Sequence, residues 1–179
     1  MENEIKIKLN SSLKEVPHED DTLNPKRVLT LQKFNVFCGQ NIHVFNELIH
    51  ELNEQERCFV LSGIFVSLDE FIKKFEKHRV NAYLHSGGNN DILRVVVIKH
   101  FMENVSRHDF YKILDYLQKK FPELTFVVWT QNEHAIQACA ECYRKDMHLF
   151  RFDYAENPIT EYVNWESISF AVKNDIWLS

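Results

Sequence analysis

Hydrophobic and polar positions follow two different periods along most of this chain. The stretch "RVLTLQKF" alternates apolar and polar residues, which is typical of a half-buried strand, whereas "VSLDEFIKKFEKH" repeats its apolar residues every three or four positions, which is typical of a helix. The continuous apolar run "LTFVVWT" indicates a strand covered on both faces. The predicted order is strand, helices, two strands, helix, strand, helix, two strands. It predicts an α/β fold whose mixed central sheet carries helices on both faces.

Two of the predicted helices begin with the same local signal. A serine is followed three residues later by an acid, as Ser67 by Glu70 and as Ser106 by Asp109. In a capping box, the two side chains satisfy free backbone N–H groups at the start of the helix. We therefore predict capping boxes at both positions.

A third helix is predicted from Asn132 to about Lys145. Asparagine accepts hydrogen bonds from the first turn of a helix, so Asn132 is the expected cap. The apolar spacing turns Ile136 and Cys139 towards the sheet.

Other segments complete the expected architecture. "VNAYLHSGGNNDILRVVVIKHF" predicts a strand, a turn and a longer strand, and "VNWESISFAVK" predicts a closing strand. "CFVLSGIFV" fits either a strand or a buried connection. One shared core is expected from side chains of adjacent strands and the helices that cross them: Leu93, Val95, Val97, Ile113, Leu117, Phe126, Val128 and Ile136.

The first 26 residues differ from the rest, because they are polar, charged and interrupted by Pro17 and Pro25. We predict a polar N-terminal arm over residues 1–26 and a single domain over residues 27–179. Within the arm, "IKIKL" alternates and is a candidate edge strand.

Composition excludes several classes of function. The net charge is −5, which gives no general basic field to hold nucleic acid. No apolar run reaches the roughly 20 residues of a membrane span, and no export signal is recognised, so we expect a cytoplasmic protein, although signal-less secretion would look the same. The histidine and cysteine spacings match no metal motif, and Cys139 and Cys142 are predicted to stay free thiols.

The segment from Asp91 to Lys173 resembles the GNAT (GCN5-related N-acetyltransferase) superfamily. The resemblance lies in the order of its strands and helices and in the pattern Asn132, Ala135, Tyr143 and Lys145. It implies a GNAT-like fold that transfers an acyl group from a thioester, such as acetyl-CoA or another acyl donor, to an amine or hydroxyl. It also implies a cofactor crevice where the strands "LRVVVIKHF" and "TFVVWT" splay apart.

The same resemblance implies roles for individual residues. Tyr143 corresponds to the general acid that protonates the departing thiolate, and Arg107, His108 and Asn132 lie where the cofactor is held. The stretch "KHFMENVSRHDF" departs from the family because it lacks the glycines of the pyrophosphate loop. Two functions therefore remain as hypotheses: an acyltransferase-like enzyme, or a non-catalytic adaptor or assembly protein that binds another protein.

Overall fold

The computed structural model describes residues 4–16, 26–55, 58–61, 65–85, 94–152, 159–162 and 165–174. Its strands are β1 Lys6–Val16, β2 Lys26–Thr30, β3 Phe34–Gly39, β4 Cys58–Leu61, β5 Val95–Ile98, β6 Thr125–Trp129, β7 Met147–Phe152 and β8 Ile159–Tyr162. Its helices are α1 Ile42–Gln55, α2 Leu68–His85, α3 Arg107–Lys120, α4 Glu133–Tyr143 and α5 Trp165–Lys173, with a 3₁₀ turn at Arg144–Asp146.

The strands form one mixed sheet in the order β2-β1-β8-β7-β3-β6-β5-β4. The five strands from β7 to β4 are parallel to one another. On the other side, β8 is antiparallel to β7, β1 is parallel to β8, and β2 is antiparallel to β1. The α/β fold with a mixed sheet is therefore confirmed.

Helices cover both faces of the sheet, because the order in which the chain adds its strands reverses once, at β4. From β3 the chain crosses to β4 at the far edge, and it then returns through β5 and β6 to β7. Since such crossovers are right-handed, the reversal sends α1 to one face and α2, α3 and α4 to the other. Two buried clusters result, one under α1 and one under α2 to α5.

The expected single core is therefore wrong in one respect. Val95 and Val97 are buried, but they lie in the cluster under α1. The helix side chains and Phe126 and Val128 lie in the cluster on the opposite face. Successive side chains of a strand point to opposite faces of the sheet. A strand that is covered by helices on both faces therefore divides its residues between two clusters. Leu93 lies outside the described residues.

One of the two predicted capping boxes forms in part, because Glu70 bonds the residue before the cap rather than the cap itself. The backbone N–H of Glu70 donates to Oγ of Ser67 at 3.3 Å, and Oε2 of Glu70 accepts from the N–H of Val66 at 3.0 Å. Ser106 occupies the cap position of α3 but makes no side-chain capping bond, so that prediction is wrong. Asp109 is one methylene shorter than the Glu or Gln that a capping box uses, and it reaches back less far.

Two predicted strands are helices. The stretch around residues 80–85 continues α2, because it contains neither proline nor glycine to stop the helix. Residues 165–173 form α5, in which Ile168 and Ala171 are buried. Over so short a stretch, the apolar spacing of "SISFAVK" fits both the period of two of a strand and the period of 3.6 of a helix. The turn expected at residues 87–90 lies outside the described residues.

The N-terminal segment contributes to the sheet. β1 covers the predicted strand "IKIKL" and extends to Val16, and it lies between β2 and β8. The predicted strand is confirmed, but β2 occupies the edge. None of the described helices combines the length and apolar character that crossing a membrane requires.

Candidate functional site at the carboxyl edge of the sheet

The carboxyl ends of β3 and β6 mark the place where an open α/β sheet binds ligands. The two strands are neighbours, and their following helices, α1 and α4, lie on opposite faces. Such a switch point leaves a crevice between the two connections. The segments that border it are Gly39–Asn41 after β3 and Thr130–Asn132 after β6.

The turn after β3 is tight and is bonded to the neighbouring strand. Gly39 has φ of 116°, and a Cβ atom there would lie 2.2 Å from the carbonyl oxygen of Phe152. The N–H groups of Gln40 and Asn41 both point to that same oxygen, at 2.9 and 3.4 Å. These donors, which a phosphate at this turn would need, already have a partner within the protein.

The other border of the crevice is tied to this turn. The side-chain Nε2 of Gln131 donates to the carbonyl oxygen of Gly39 at 2.9 Å. The N–H of Thr130 donates to the carbonyl oxygen of Phe37 at 3.0 Å. The two connections are therefore bridged by the chain's own polar groups at the position where a ligand would enter.

Asn132 begins α4 as predicted. Its Oδ1 accepts from the N–H groups of His134 and Ala135, at 3.0 and 3.3 Å. Its Nδ2 lies 3.5 Å from the carbonyl oxygen of Met102 in the β5–α3 connection. Ile136 and Cys139 are fully buried, as the spacing predicted. The amide that the resemblance places beside a cofactor thus holds a helix start and a neighbouring loop.

A positively charged contact joins the starts of α3 and α4. The guanidinium of Arg107 contacts Nδ1 of His134, and both side chains are exposed. His108 is exposed on the same turn of α3. The structure therefore brings Arg107 and Asn132 to adjacent helix starts and adds His134. Sequence reasoning missed His134, since nothing in its own neighbourhood distinguishes it from a solvated helix residue.

Tyr143 lies near the amino ends of the strands, on the side of the sheet opposite to the switch point. It ends α4, so about 16 Å of helix separate it from Asn132. Its ring stacks on Phe34 with centroids 4.2 Å apart, and only 4% of the residue is exposed. Burial raises the pKa of its hydroxyl, and that hydroxyl has no hydrogen-bond partner among the described residues. A general acid must reach the reacting group, and the structure does not bring Tyr143 to Arg107 and Asn132.

The strands β5 and β6 stay paired where the resemblance implies a crevice. All four residues of β5 pair with β6, from Val95 with Thr125 to Ile98 with Val128. Beyond β5, the N–H of Phe101 still donates to the carbonyl oxygen of Trp129 at 2.8 Å. A pantetheine arm has no opening between these strands.

Two residues in the connection between β5 and α3 have a backbone conformation that is uncommon for residues other than glycine. His100 and Met102 have φ of 57° and 60°, in the left-handed region that residues other than glycine seldom adopt. Nδ1 of His100 lies 3.0 Å from Oε2 of Glu103. The side chains of His100 and Glu103 are thus paired with each other.

The thiols form no reactive centre. All four cysteines are free. Burial raises the pKa of Cys139 well above its ordinary value and that of Cys58 to about 11, so both remain protonated near neutral pH. No group of three or more His, Cys, Asp or Glu side chains suited to a metal ion occurs in the described part of the chain.

Comparison with known proteins leaves the family open. No model of a known family matches the chain, and no curated protein matches it. Among solved structures, a chain in the structure of Drosophila ORC bound to poly(dA/dT) DNA and Cdc6 is similar, with 13% identity and a TM-score of 0.36. The match covers 83% of this chain and 28% of that one. This chain therefore spans less than a third of the length of the chain it matches.

Proposed function

We propose that this chain is a non-catalytic assembly domain, which has the layout of a ligand-binding α/β sheet but uses its surface to bind protein. The observation that carries the proposal is the closed switch point. The carbonyl oxygen of Phe152 accepts from the N–H groups of Gln40 and Asn41. The side-chain amide of Gln131 donates to the carbonyl oxygen of Gly39. Groups that hold a ligand in an open sheet here hold the protein itself together.

Nucleotide binding is disfavoured at this turn. In P-loop nucleotide-binding proteins, a loop of the form GxxxxGK[ST] joins a parallel strand to the next helix. Between β3 and α1, only Gln40 and Asn41 follow Gly39, and neither a lysine nor a second glycine is present. A turn of this length cannot wrap a phosphate, and it offers no charge to neutralise one.

Acyl transfer remains the second candidate, and the Arg107–His134 contact is the observation that favours it. It places a cation between two helix starts, where dipoles also favour an anion such as the phosphates of CoA. Against it stand the continuous pairing of β5 with β6 and the distant, buried Tyr143. The assembly proposal accounts for the closed switch point, the paired strands and the buried Tyr143 together.

Calorimetric titration with acetyl-CoA and with MgATP separates the candidates. We expect dissociation constants above roughly 1 mM for both, equivalent to less than about 4 kcal/mol of binding. A ligand present at 100 times its dissociation constant would add about 2.7 kcal/mol, which is roughly 5–10 °C in the melting temperature of a chain this size. We expect no such shift at millimolar concentrations.

Two variants decide what any observed binding means. Micromolar binding of acetyl-CoA that is lost in Arg107→Ala but kept in Lys112→Ala, on the next turn of α3, would establish the acyl-donor site and refute the assembly proposal. Tight binding of MgATP that is lost when Gln131 is changed to Ala would refute the closed switch point.

A further inference from the structure

We propose that His148, Glu161 and Glu15 bind a divalent transition-metal ion such as Zn²⁺, which joins three strands on the face of the sheet under α1. The three residues belong to β7, β8 and β1, which are neighbours in the sheet. The metal site lies away from the crevice between β3 and β6, so it stands independently of the proposed function.

His148 and Glu161 form a polar pair within an otherwise apolar layer. Nδ1 of His148 lies 2.9 Å from Oε1 of Glu161, and the two side chains are 11% and 2% exposed. His148 is on the same side of β7 as Phe150, which belongs to the cluster under α1, and Glu161 is opposite Phe150 in the pairing of β7 with β8. A buried carboxylate is costly unless positive charge and hydrogen bonds compensate it.

The pair leaves polar atoms without hydrogen bonds. Among the described residues, neither Oε2 of Glu161 nor Nδ1 of His148 has a hydrogen-bond partner. Nδ1 is close to Oε1, but a short distance without the right direction is not a hydrogen bond. At the surface, Nδ1 of His100 and Oε2 of Glu103 do form one, at a similar 3.0 Å. Unsatisfied buried atoms of this kind point to a bound ion.

The distance between the two atoms suits two ligands of one ion. Zinc lies about 2.0–2.2 Å from nitrogen and carboxylate ligands. Two such ligands are therefore about 2.8–3.1 Å apart at a right angle and about 3.3–3.6 Å apart at the tetrahedral angle. The observed 2.9 Å matches the right-angle arrangement.

A residue for the third ligand is present on the next strand. Glu15 pairs with Glu161 in the parallel register of β1 and β8. Residues paired in this way share a face of the sheet, with their strands about 4.8 Å apart. Like charges at such positions are destabilising, and a divalent cation neutralises both. The described side chains thus provide two ligands, and Glu15, which is described by its backbone only, occupies the register position of the third.

The surroundings of the pair offer no substitute for a metal ion. The buried residues of α1 are all apolar. Asn35, which pairs with His148 on β3, is neutral, and its amide donates to the carbonyl oxygen of Phe126. Imidazole favours transition ions such as Zn²⁺, whereas Mg²⁺ and Ca²⁺ prefer sites made of oxygen alone. The ligand set therefore selects a transition ion.

The site lies where two parts of the sheet join. The strands β8, β1 and β2 attach to the five parallel strands through the pairing of β7 with β8, which runs only from Leu149 with Tyr162 to Arg151 with Thr160. An ion held by β7, β8 and β1 cross-links this junction. Its binding free energy then adds to the stability of the fold.

Titration of the full chain with zinc is the direct test. The protein is first freed of metal with EDTA, and binding is followed by calorimetry and by thermal unfolding. We expect one ion per chain with a dissociation constant of about 10 µM or below. Zinc at about 100 times that constant should raise the melting temperature by roughly 5 °C or more, whereas the same concentration of MgCl₂ should not.

Conservative amide variants separate metal binding from packing. His148→Gln, Glu161→Gln and Glu15→Gln should each weaken zinc binding about tenfold or more, since even residues outside the ligand shell change metal affinity about 10–100-fold. In EDTA, Glu161→Gln should melt at the wild-type temperature or above, because it removes a buried charge with an unpaired oxygen. A purely structural role predicts a lower melting temperature with and without zinc. His100→Gln, which alters the exposed pair, should bind zinc as wild type does.

X-ray absorption at the zinc edge identifies the ligands. One imidazole together with oxygen ligands is expected, and sulfur ligands would place the zinc on the thiols and overturn the proposal. A dissociation constant above about 1 mM, or zinc binding that survives both His148→Gln and Glu161→Gln, would also overturn it. Binding unaffected by Glu15→Gln would overturn the three-strand site. None of these measurements involves acetyl-CoA or MgATP, so the assembly proposal is tested separately.

Discussion

Replacing Tyr143 with phenylalanine tests whether this residue serves packing or chemistry. The ring stacks on Phe34 at 4.2 Å and belongs to the core cluster under α2 to α5. The hydroxyl is buried and has no partner among the described residues. The substitution keeps the ring and removes only the unpaired polar atom.

The magnitude follows from the cost of burying that atom. An unsatisfied buried hydroxyl costs about 1–3 kcal/mol, and removing it leaves a small void that takes back part of the gain. We therefore expect Tyr143→Phe to raise the free energy of unfolding by about 0.5–2 kcal/mol at neutral pH.

The dependence on pH gives a second readout. Burial raises the pKa of Tyr143 above that of the unfolded chain, so the unfolded state loses this proton first as the pH rises. The unfolded state then binds fewer protons than the folded state, and stability falls above about pH 10 by up to about 1.4 kcal/mol per unit. Tyr143→Phe should remove that part of the alkaline loss, while buried Cys139, whose pKa is also raised, still contributes.

Urea denaturation followed by circular dichroism, repeated between pH 7 and pH 11, measures both effects. Phe110→Leu serves as a core variant of the same cluster that leaves every titrating group in place. A loss of more than about 1 kcal/mol at pH 7 in Tyr143→Phe would mean that the hydroxyl has a partner. An unchanged alkaline slope would refute the burial argument.

Three further changes test the architecture by the same denaturation assay. Asn132→Ala removes the cap of α4 and should cost about 0.5–2 kcal/mol, whereas Asn132→Asp, which can still cap, should cost less. Val128→Ala truncates a fully buried side chain of β6 and should cost about 1–3 kcal/mol; a neutral result would contradict its place in the core. Gly39→Ala places a methyl group 2.2 Å from the carbonyl oxygen of Phe152, so a cost of about 2 kcal/mol or more is expected, and a loss below about 0.5 kcal/mol would contradict the tight turn.

Local signals in the sequence predicted the elements whose cause is local. The cap at Asn132 and the strand "TFVVWT" depend on neighbouring residues alone, and both are present in the structure. α5 was missed because "SISFAVK" is too short to distinguish a period of two from one of 3.6. Sequence spacing therefore predicts a helix well only where a cap or several turns support it.

The assembly of the site could not be predicted in the same way. The contact of Arg107 with His134 spans 27 residues, and that of Gln131 with Gly39 spans 92. Both depend on the order of strands in the sheet, which local patterns do not encode. The opposite placement of Tyr143 follows from the same order, because a helix after a parallel strand runs back to the other edge.

The polar residues at the carboxyl edge share one property that links fold to function. Gln131, Asn132 and the Gly39–Asn41 turn each combine a position suited to ligand binding with a bond to the chain itself. A ligand entering here would have to break several of these bonds before it gained any of its own. Opening the site therefore costs stability. The assembly proposal rests on this cost, because a ligand at the switch point must first replace bonds that the chain already makes.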